Sequence, residues 1–134
     1  MQERDPLAVV HAWVAAANAQ DAERLLACSD PTIEVVGPRG SGFGHQLLRN
    51  WLARAGLRLE TLRAFVREDV VVLEQRGVWR SLETGEMTSE KALATFFEVH
   101  GGHVVKFARF DGIEEAFATT GLEPADAVPQ PGHP

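Results

Sequence analysis

The most specific candidate for chemistry in this sequence is Arg109, which lies in an apolar run near the end of the chain. In a strand over residues 104–110 alternate side chains share a face, and the face that includes the arginine consists of Val105, Phe107, Arg109 and Asp111. A guanidinium on an apolar surface needs a partner, because an isolated buried charge is very costly. The partner is either a carboxylate of the chain, Asp111 or Glu98, or the anionic group of a ligand that the guanidinium binds through two parallel hydrogen bonds.

The five histidines are the other candidates for chemistry: His11, His45, His100, His103 and His133. Their spacing along the sequence is not that of metal ligands. His100 and His103 flank a glycine pair, but two histidines without a nearby carboxylate are more typical of solvated turn residues than of a metal site. His11 or His45 paired with Glu34 could form a general-base couple, although a surface position is the ordinary interpretation for each. We therefore predict no metal site.

Two further patterns argue against familiar chemistries. The glycine-bearing stretch GPRGSGFGHQ lacks the lysine followed by serine or threonine that ends a nucleotide-binding loop, so we interpret it as a connector and expect no cofactor. Cys28 lies among leucines and alanine without an obvious histidine partner, which favours a small buried thiol. Because it is the single cysteine, no intramolecular disulfide can form.

Composition limits the class of protein. A chain of 134 residues with 45% hydrophobic content can bury one core without disulfides or metals, and we predict a single domain over residues 1–122. The remaining residues, 123–134, hold four of the seven prolines and are predicted to be a disordered tail. A net charge of -6 disfavours nucleic acid as a partner. The sequence contains neither an apolar run of membrane-spanning length nor a signal-peptide pattern, so we expect no membrane partner and a cytoplasmic location.

The elements that position these side chains follow from hydrophobic periodicity. Helices are predicted over residues 6–19, capped by Asp5, over 22–27 and over 45–55, and a last short helix is closed by Gly121. Strands are predicted over 32–36, 70–82, 89–99 and 104–110, whereas residues 57–68 fit a strand or a helix. The fold class is therefore α+β, with N-terminal helices packed against a curved antiparallel sheet.

The turn at Gly101-Gly102 decides which residues face Arg109. A two-residue turn would place Phe96 opposite Phe107 and Ala94 opposite Arg109. A β-bulge would shift the pairing by one residue, and the side chains on the arginine's face would then be those of Thr95 and Phe97. The sequence leaves both registers open.

The order of helices and strands resembles that of the nuclear transport factor 2-like superfamily, in particular its SnoaL-like proteins and ketosteroid isomerases. The resemblance covers residues 6–122 and depends on VVHAWVAAANAQDAERLLAC, GHQLLRNWL and VVKFARFDGIEEAFATTGL. It implies a cone-shaped, cystatin-like fold whose sheet wraps around the helices and encloses a pocket. The family includes isomerases, cyclases, dehydratases and pocketed proteins without known activity, so the resemblance alone does not define a reaction.

The isomerase chemistry can be tested residue by residue. That reaction needs an aspartate base and an oxyanion site made of a tyrosine hydroxyl and a protonated carboxylic acid. The resemblance places the tyrosine position at Trp13, the base position at Val35 and the acid position within residues 94–96, which are Ala, Thr and Phe. This chain contains no tyrosine, so a ketosteroid isomerase mechanism is excluded.

Three functions stay open at this point. The first is an apolar small-molecule pocket whose hydrophobic ligand can carry an anionic group, and six residues are expected to bind it: Trp13, Val35, Trp51, Phe107, Arg109 and Asp111. The second is an acid-base enzyme on a hydrophobic substrate, using a histidine or Arg109 with Asp111. The third is a homodimeric association module in which the open face of the sheet pairs two copies, as is common in the resembled superfamily.

Overall fold

The computed structural model describes residues 5–37 and 40–128, which form four helices and six strands. The helices are α1 (Pro6–Asn18), α2 (Ala22–Ala27), α3 (His45–Ala55) and α4 (Ile113–Thr120). The strands are β1 (Ser29–Gly37), β2 (Gly40–Phe43), β3 (Leu57–Arg67), β4 (Val70–Arg80), β5 (Met87–His100) and β6 (His103–Phe110). A single 3-10 turn follows at Pro124–Asp126. The predicted α+β class and its curved sheet are confirmed.

One curved sheet contains all six strands, in the order β2-β1-β6-β5-β4-β3. Most neighbours are antiparallel, as predicted, but β1 runs parallel to β6. The reason is topological: β1 precedes the meander of β3 to β6, and the chain returns to it through a crossover that is long enough for parallel pairing. The antiparallel prediction therefore needs correction at this one pair of strands.

The two faces of the sheet pack against different helices. The inner face packs against α1, α2 and α3 in the main core, to which α1 contributes Val9, Val10 and Trp13. On the outer face α4 covers a smaller cluster that contains Phe65, Val72, Ala94, Ala116 and Leu122. Elsewhere on the outer face, ion pairs join neighbouring strands, among them Arg63 with Glu74 and Arg76 with Glu90. The face that a dimer was expected to use is thus partly covered by α4 and partly charged.

The hairpin of β5 and β6 has the bulged register. Thr95 lies opposite Arg109 and Phe97 opposite Phe107, and the pairing shifts between Glu98 and Val99. Both turn glycines have positive φ, 59° for Gly101 and 81° for Gly102, which the absence of a Cβ allows. The extra residue lies in β6, so that Val104 rather than Val105 is buried in the core together with Phe107.

At three places the structure differs from the sequence-based prediction or decides between two predicted alternatives. Gly40–Phe43, predicted as part of a connector, forms β2 and pairs with β1, and the weak strand propensity of glycine explains why this strand was missed. Residues 57–67 are a strand rather than a helix, because β4 pairs with them along their whole length. Asp5 lies at the N-cap of α1, but its side chain makes no capping hydrogen bond.

The segment after Leu122 is held against β3. Ala127 pairs with Phe65, and the N–H of Val128 donates to the carbonyl of Ala64 at 2.8 Å. Arg67 donates to Asp126 at 2.7 Å and to the carbonyl of Gly121 at 3.0 Å. The predicted domain boundary at residue 122 stays a prediction, and the part of the predicted tail beyond residue 128 lies outside the described residues.

Within the described residues, no helix has the length and hydropathy that crossing a lipid bilayer would require.

We predict that Asp126→Asn destabilises the domain in a pH-dependent way. The pKa of the Asp126 carboxyl lies below its ordinary value, because the backbone N–H of Glu123 donates to it and Arg67 lies beside it. A lowered pKa in the folded state means that this stabilisation is complete above the unfolded value of about 3.9 and is lost as the pH falls through the folded value. Urea unfolding should therefore show a lower midpoint for the variant at pH 7 and no difference in strong acid.

Glu83→Gln is the matched control, since it removes one negative charge from the exposed turn between β4 and β5. Its midpoint should follow that of the wild type at both pH values. An equal deficit of Asp126→Asn at neutral and acidic pH would contradict the pKa explanation.

Candidate functional site

An open cleft of about 520 Å³ lies where β1 stops pairing with β6. The last β1–β6 pair among the described residues is Val36 with Ala108, and the next residue of each strand, Gly37 and Arg109, lines the cleft. Helix α3 contributes Trp51 to the cleft and α4 contributes Glu115. The lining consists of Val35, Val36, Gly37, Trp51, Phe107, Ala108, Arg109, Phe110, Asp111 and Glu115.

Five of the six predicted site residues line this cleft: Val35, Trp51, Phe107, Arg109 and Asp111. Trp13 is the exception. Its side chain is fully buried, and its indole N–H donates to the hydroxyl of Ser29 at 3.0 Å. Its ring packs 4.8 Å from Phe107 and 6.0 Å from Trp51, measured between centroids. The structure therefore places Trp13 in the core that supports the aromatic wall, and not in the wall itself.

The aromatic wall is formed by Trp51 and Phe107, whose ring centroids are 5.7 Å apart. Phe107 is almost completely buried, whereas Trp51 is half-buried and presents part of its ring to the cleft. Val35 lies opposite Phe107 on the neighbouring strand. This side of the cleft can take up the apolar body of a small molecule.

Arg109 is exposed and has neither of the protein partners that the sequence suggested. Asp111 is bound by Lys91 at 2.9 Å, and Glu98 is bound by His100 at 2.7 Å. The guanidinium of Arg109 instead stacks on Trp79, with its carbon 5.5 Å from the ring centroid. Among the described residues it forms no ion pair, and its hydrogen-bonding edge is therefore available to a ligand.

Trp79 can serve as this platform because β4 has a glycine two residues earlier. A Cβ at Gly77 would lie 2.6 Å from Leu93 Cδ2 and 3.2 Å from two ring atoms of Trp79. The space above Gly77 is thus filled by the indole and the leucine side chain. Sequence reasoning missed Trp79, since the contact with Arg109 spans two strands that are not neighbours along the chain.

The acidic side chains of the cleft are Asp111 and Glu115. The pKa of Asp111 is held below its ordinary value, first by the hydrogen bond from Lys91 and then by the charge of that lysine, with a smaller contribution from Arg109. Asp111 is therefore ionised and already paired. Glu115 was not predicted as a site residue, and it lies in the first turn of α4, which no sequence pattern linked to the cleft.

A buried polar chain lies on the inner face beside Arg109. Thr95, the residue opposite Arg109, donates to the Gln75 side-chain oxygen at 2.8 Å, and Gln75 donates to Thr61 at 3.0 Å. Thr95 is fully buried and lies within residues 94–96, to which the resemblance assigns the carboxylic acid of the isomerases. These hydrogen bonds satisfy the buried groups, so Thr95 supports the strand and offers no ionisable group to the cleft.

The described histidines lie away from the cleft. His45 contacts the carbonyl of Ser29 at 3.0 Å, and His103 contacts that of Gly101 at 3.1 Å. His100 lies 3.5 Å from Asp69 as well as against Glu98, and His11 is exposed on α1. His133 lies outside the described residues. Across residues 5–37 and 40–128, no three histidine, cysteine, aspartate or glutamate side chains come together as metal ligands.

Comparisons with known proteins give a clear answer for the fold. No family model and no curated protein matches the chain. Among solved structures, a nuclear transport factor 2-like protein of unknown function from Cytophaga hutchinsonii has a TM-score of 0.69 and 13% identity, over 87% of this chain and 97% of that one. TerC, crystallised with polyporic acid, has a TM-score of 0.69 and 20% identity, over 85% and 95%. A proposed polyketide cyclase from Xanthomonas campestris has a TM-score of 0.68 and 18% identity, over 84% and 94%.

The chain shares the fold of these nuclear transport factor 2-like structures, and the fold that the resemblance predicted is confirmed. Identities of this size establish the shared architecture and leave the chemistry to the residues of the cleft.

We predict that the two tryptophans respond differently to truncation. Trp13→Ala should cost ~3 to 5 kcal/mol of unfolding free energy, because it empties the core and leaves the Ser29 hydroxyl without its donor. Trp51→Ala should cost appreciably less, since part of that ring already faces the cleft. Urea unfolding of both variants at constant m value measures the difference, and equal losses of full core size would show that Trp51 lines no open space.

We also predict that Gly77→Ala destabilises the domain by ~1 to 3 kcal/mol, because the added methyl group must displace Leu93 and Trp79. Gly112→Ala is the matched control. Gly112 has extended backbone with no atom within 4 Å of an added Cβ, so its substitution should cost under about 1 kcal/mol. Similar effects of the two substitutions in thermal unfolding would reject the packing role of Gly77.

Proposed function

We propose that this protein binds a hydrophobic small molecule that carries an anionic group. The observation that carries the proposal is the guanidinium of Arg109, which lies in the cleft lining, stacks on Trp79 and forms no ion pair with a described carboxylate. A cation in this position can bind a carboxylate through two parallel hydrogen bonds. The aromatic wall beside it would hold the apolar body of the same molecule.

The dimensions of the cleft support a small ligand. Its volume of about 520 Å³ falls within the range of roughly 300 to 1,000 Å³ that is usual for small-molecule sites. The stacking of Arg109 on Trp79 limits the conformations of the side chain, so that less conformational entropy is lost when an anion binds. The volume suits a small ligand, and the guanidinium held on Trp79 favours an amphipathic acid over a purely apolar compound.

The structural neighbours are consistent with this type of ligand. TerC was crystallised with an organic acid, and another neighbour is a proposed polyketide cyclase. An organic acid would accordingly be a ligand of the same general kind as the compound with which TerC was crystallised.

Acid-base catalysis has less support from the cleft. The described lining contains no histidine, and Asp111 is kept ionised by Lys91, which makes it a weak base. Pairing of two copies stays a prediction, and the outer face of the sheet, which it was expected to use, is partly covered by α4 and partly charged. A cytoplasmic location likewise stays a prediction.

We predict that hydrophobic carboxylates raise the melting temperature and that their methyl esters do so much less. A ligand present at a hundredfold excess over its Kd stabilises the folded state by ~2.7 kcal/mol. Arg109→Met keeps most of the side-chain volume and removes the donors, so the Kd of biphenylcarboxylate should rise by about tenfold or more while that of its ester stays the same. Calorimetric titration of both compounds measures the preference.

Arg58→Met is the matched control, because it removes the same charge from an exposed position of β3 outside the cleft lining. It should keep the preference for the acid. If Arg109→Met binds acid and ester with the same ratio as the wild type, the anion site is rejected.

A further inference from the structure

The cleft contains charges of both signs, and only some of them are neutralised by the protein. Arg109, Asp111 and Glu115 all belong to the lining. Lys91 pairs with Asp111 at 2.9 Å, which leaves Arg109 and Glu115 as the charged groups without an ion-pair partner among the described residues. The site therefore presents one hydrogen-bond donor group and one acceptor group that a ligand could satisfy.

The negative charge of Glu115 disfavours binding of a hydrophobic acid that has no other polar group. Such an acid, bound to Arg109, shares the cleft with the Glu115 carboxylate, which repels its anionic group and receives no hydrogen bond from it. A ligand that also carries a hydroxyl group would instead donate to Glu115. Hydrogen bonds to an ionised acceptor are stronger than those between neutral groups, so this second contact would add to affinity and to selectivity.

The position of Glu115 is set by the start of α4. Gly112 precedes the helix, and Glu114 and Glu115 occupy its first turn, where negative charge is favoured by the helix dipole. The neighbouring Ala116 is fully buried against the outer face of the sheet, which anchors this turn. Of the two glutamates, Glu115 belongs to the cleft lining and Glu114 does not.

We propose that the ligand carries two polar groups on an apolar body: an anionic group that binds Arg109 and a hydrogen-bond donor, such as a hydroxyl group, that binds Glu115. This inference rests on the proposed anion site and names its ligand class more narrowly. Glu115 is then a specificity-determining residue, and the pair of Arg109 and Glu115 selects hydroxylated acids from other acids of the same size.

The experiment compares hydroxylated and methoxylated carboxylates on two scaffolds, phenylacetate and biphenylcarboxylate, with the substituent on the ring position remote from the acid. Methylation removes the donor and keeps the oxygen. Calorimetric titration of the wild type should give a Kd that is about tenfold lower for the hydroxylated compound of at least one scaffold. Glu115→Ala should bind the hydroxylated and the methoxylated compound with about equal affinity, because the variant lacks the acceptor of the hydroxyl group.

Glu114→Ala is the matched control: it removes the same charge from the same helical turn, outside the cleft lining. It should keep the preference for the hydroxylated acid. Equal affinities of hydroxylated and methoxylated acids on both scaffolds in the wild type would overturn the inference. So would a preference that persists in Glu115→Ala.

The outcomes also separate this inference from the proposed function. If the wild type prefers acids to esters through Arg109 but does not distinguish hydroxyl from methoxy groups, the anion site stands and the role of Glu115 is rejected. If acids and esters bind alike, the proposed function itself fails, whatever the response to the hydroxyl group.

Discussion

The packing of Trp13 against the inner face of the sheet is the interaction on which the rest of this structure depends. Its ring lies 5.2 Å from Phe97 and 4.8 Å from Phe107, and it stacks on Trp51 of α3 at 6.0 Å, so one side chain connects α1, two strands and a second helix. Pairs of this kind contribute ~0.5 to 1.5 kcal/mol each beyond the burial of their area. Because Ser29 binds the indole N–H, a polar atom is also satisfied inside this cluster. This aromatic cluster connects α3 with β6, and Trp51 and Phe107, one residue from each element, line the cleft.

The cleft itself results from an incomplete sheet. If β1 continued to pair with β6 beyond Ala108, backbone and side chains would fill the space beside Arg109. Strand β1 ends at Gly37 and α4 begins after Gly112, and residues of both elements line the cleft beside the end of β6. An arginine placed there can reach solvent while its aliphatic stem and guanidinium face pack on protein, in this case on Trp79. The same geometry makes the site accessible and leaves it partly apolar.

Sequence reasoning was most successful where the information is local. Periodicity placed α2 and α3 at their observed bounds, since capping and amphipathicity are read within a few residues. It failed at Gly40–Phe43, where pairing with β1 overrides the poor propensity of glycine, and it could not choose the register at Gly101-Gly102, which a single bulged residue decides. Five lining residues were found through strand alternation and the family resemblance. Trp79 and Glu115 were missed because their positions depend on the packing of distant strands and of α4 on the sheet.

The positions to which the resemblance assigns ketosteroid isomerase chemistry show why the fold does not determine the reaction. Here Trp13 is a packing residue, Val35 is part of an apolar wall, and Thr95 is tied to Gln75 inside the sheet. Each replacement lowers the cost of burial, because an apolar or fully hydrogen-bonded side chain needs no charged partner in the core. The ionisable groups of the cleft, Arg109, Asp111 and Glu115, are exposed to water at the end of β6, just after it and in the first turn of α4. Under the proposed function, such a site would bind the polar ends of a molecule whose apolar body lies on the aromatic wall, and that binding needs no group with a strongly raised pKa.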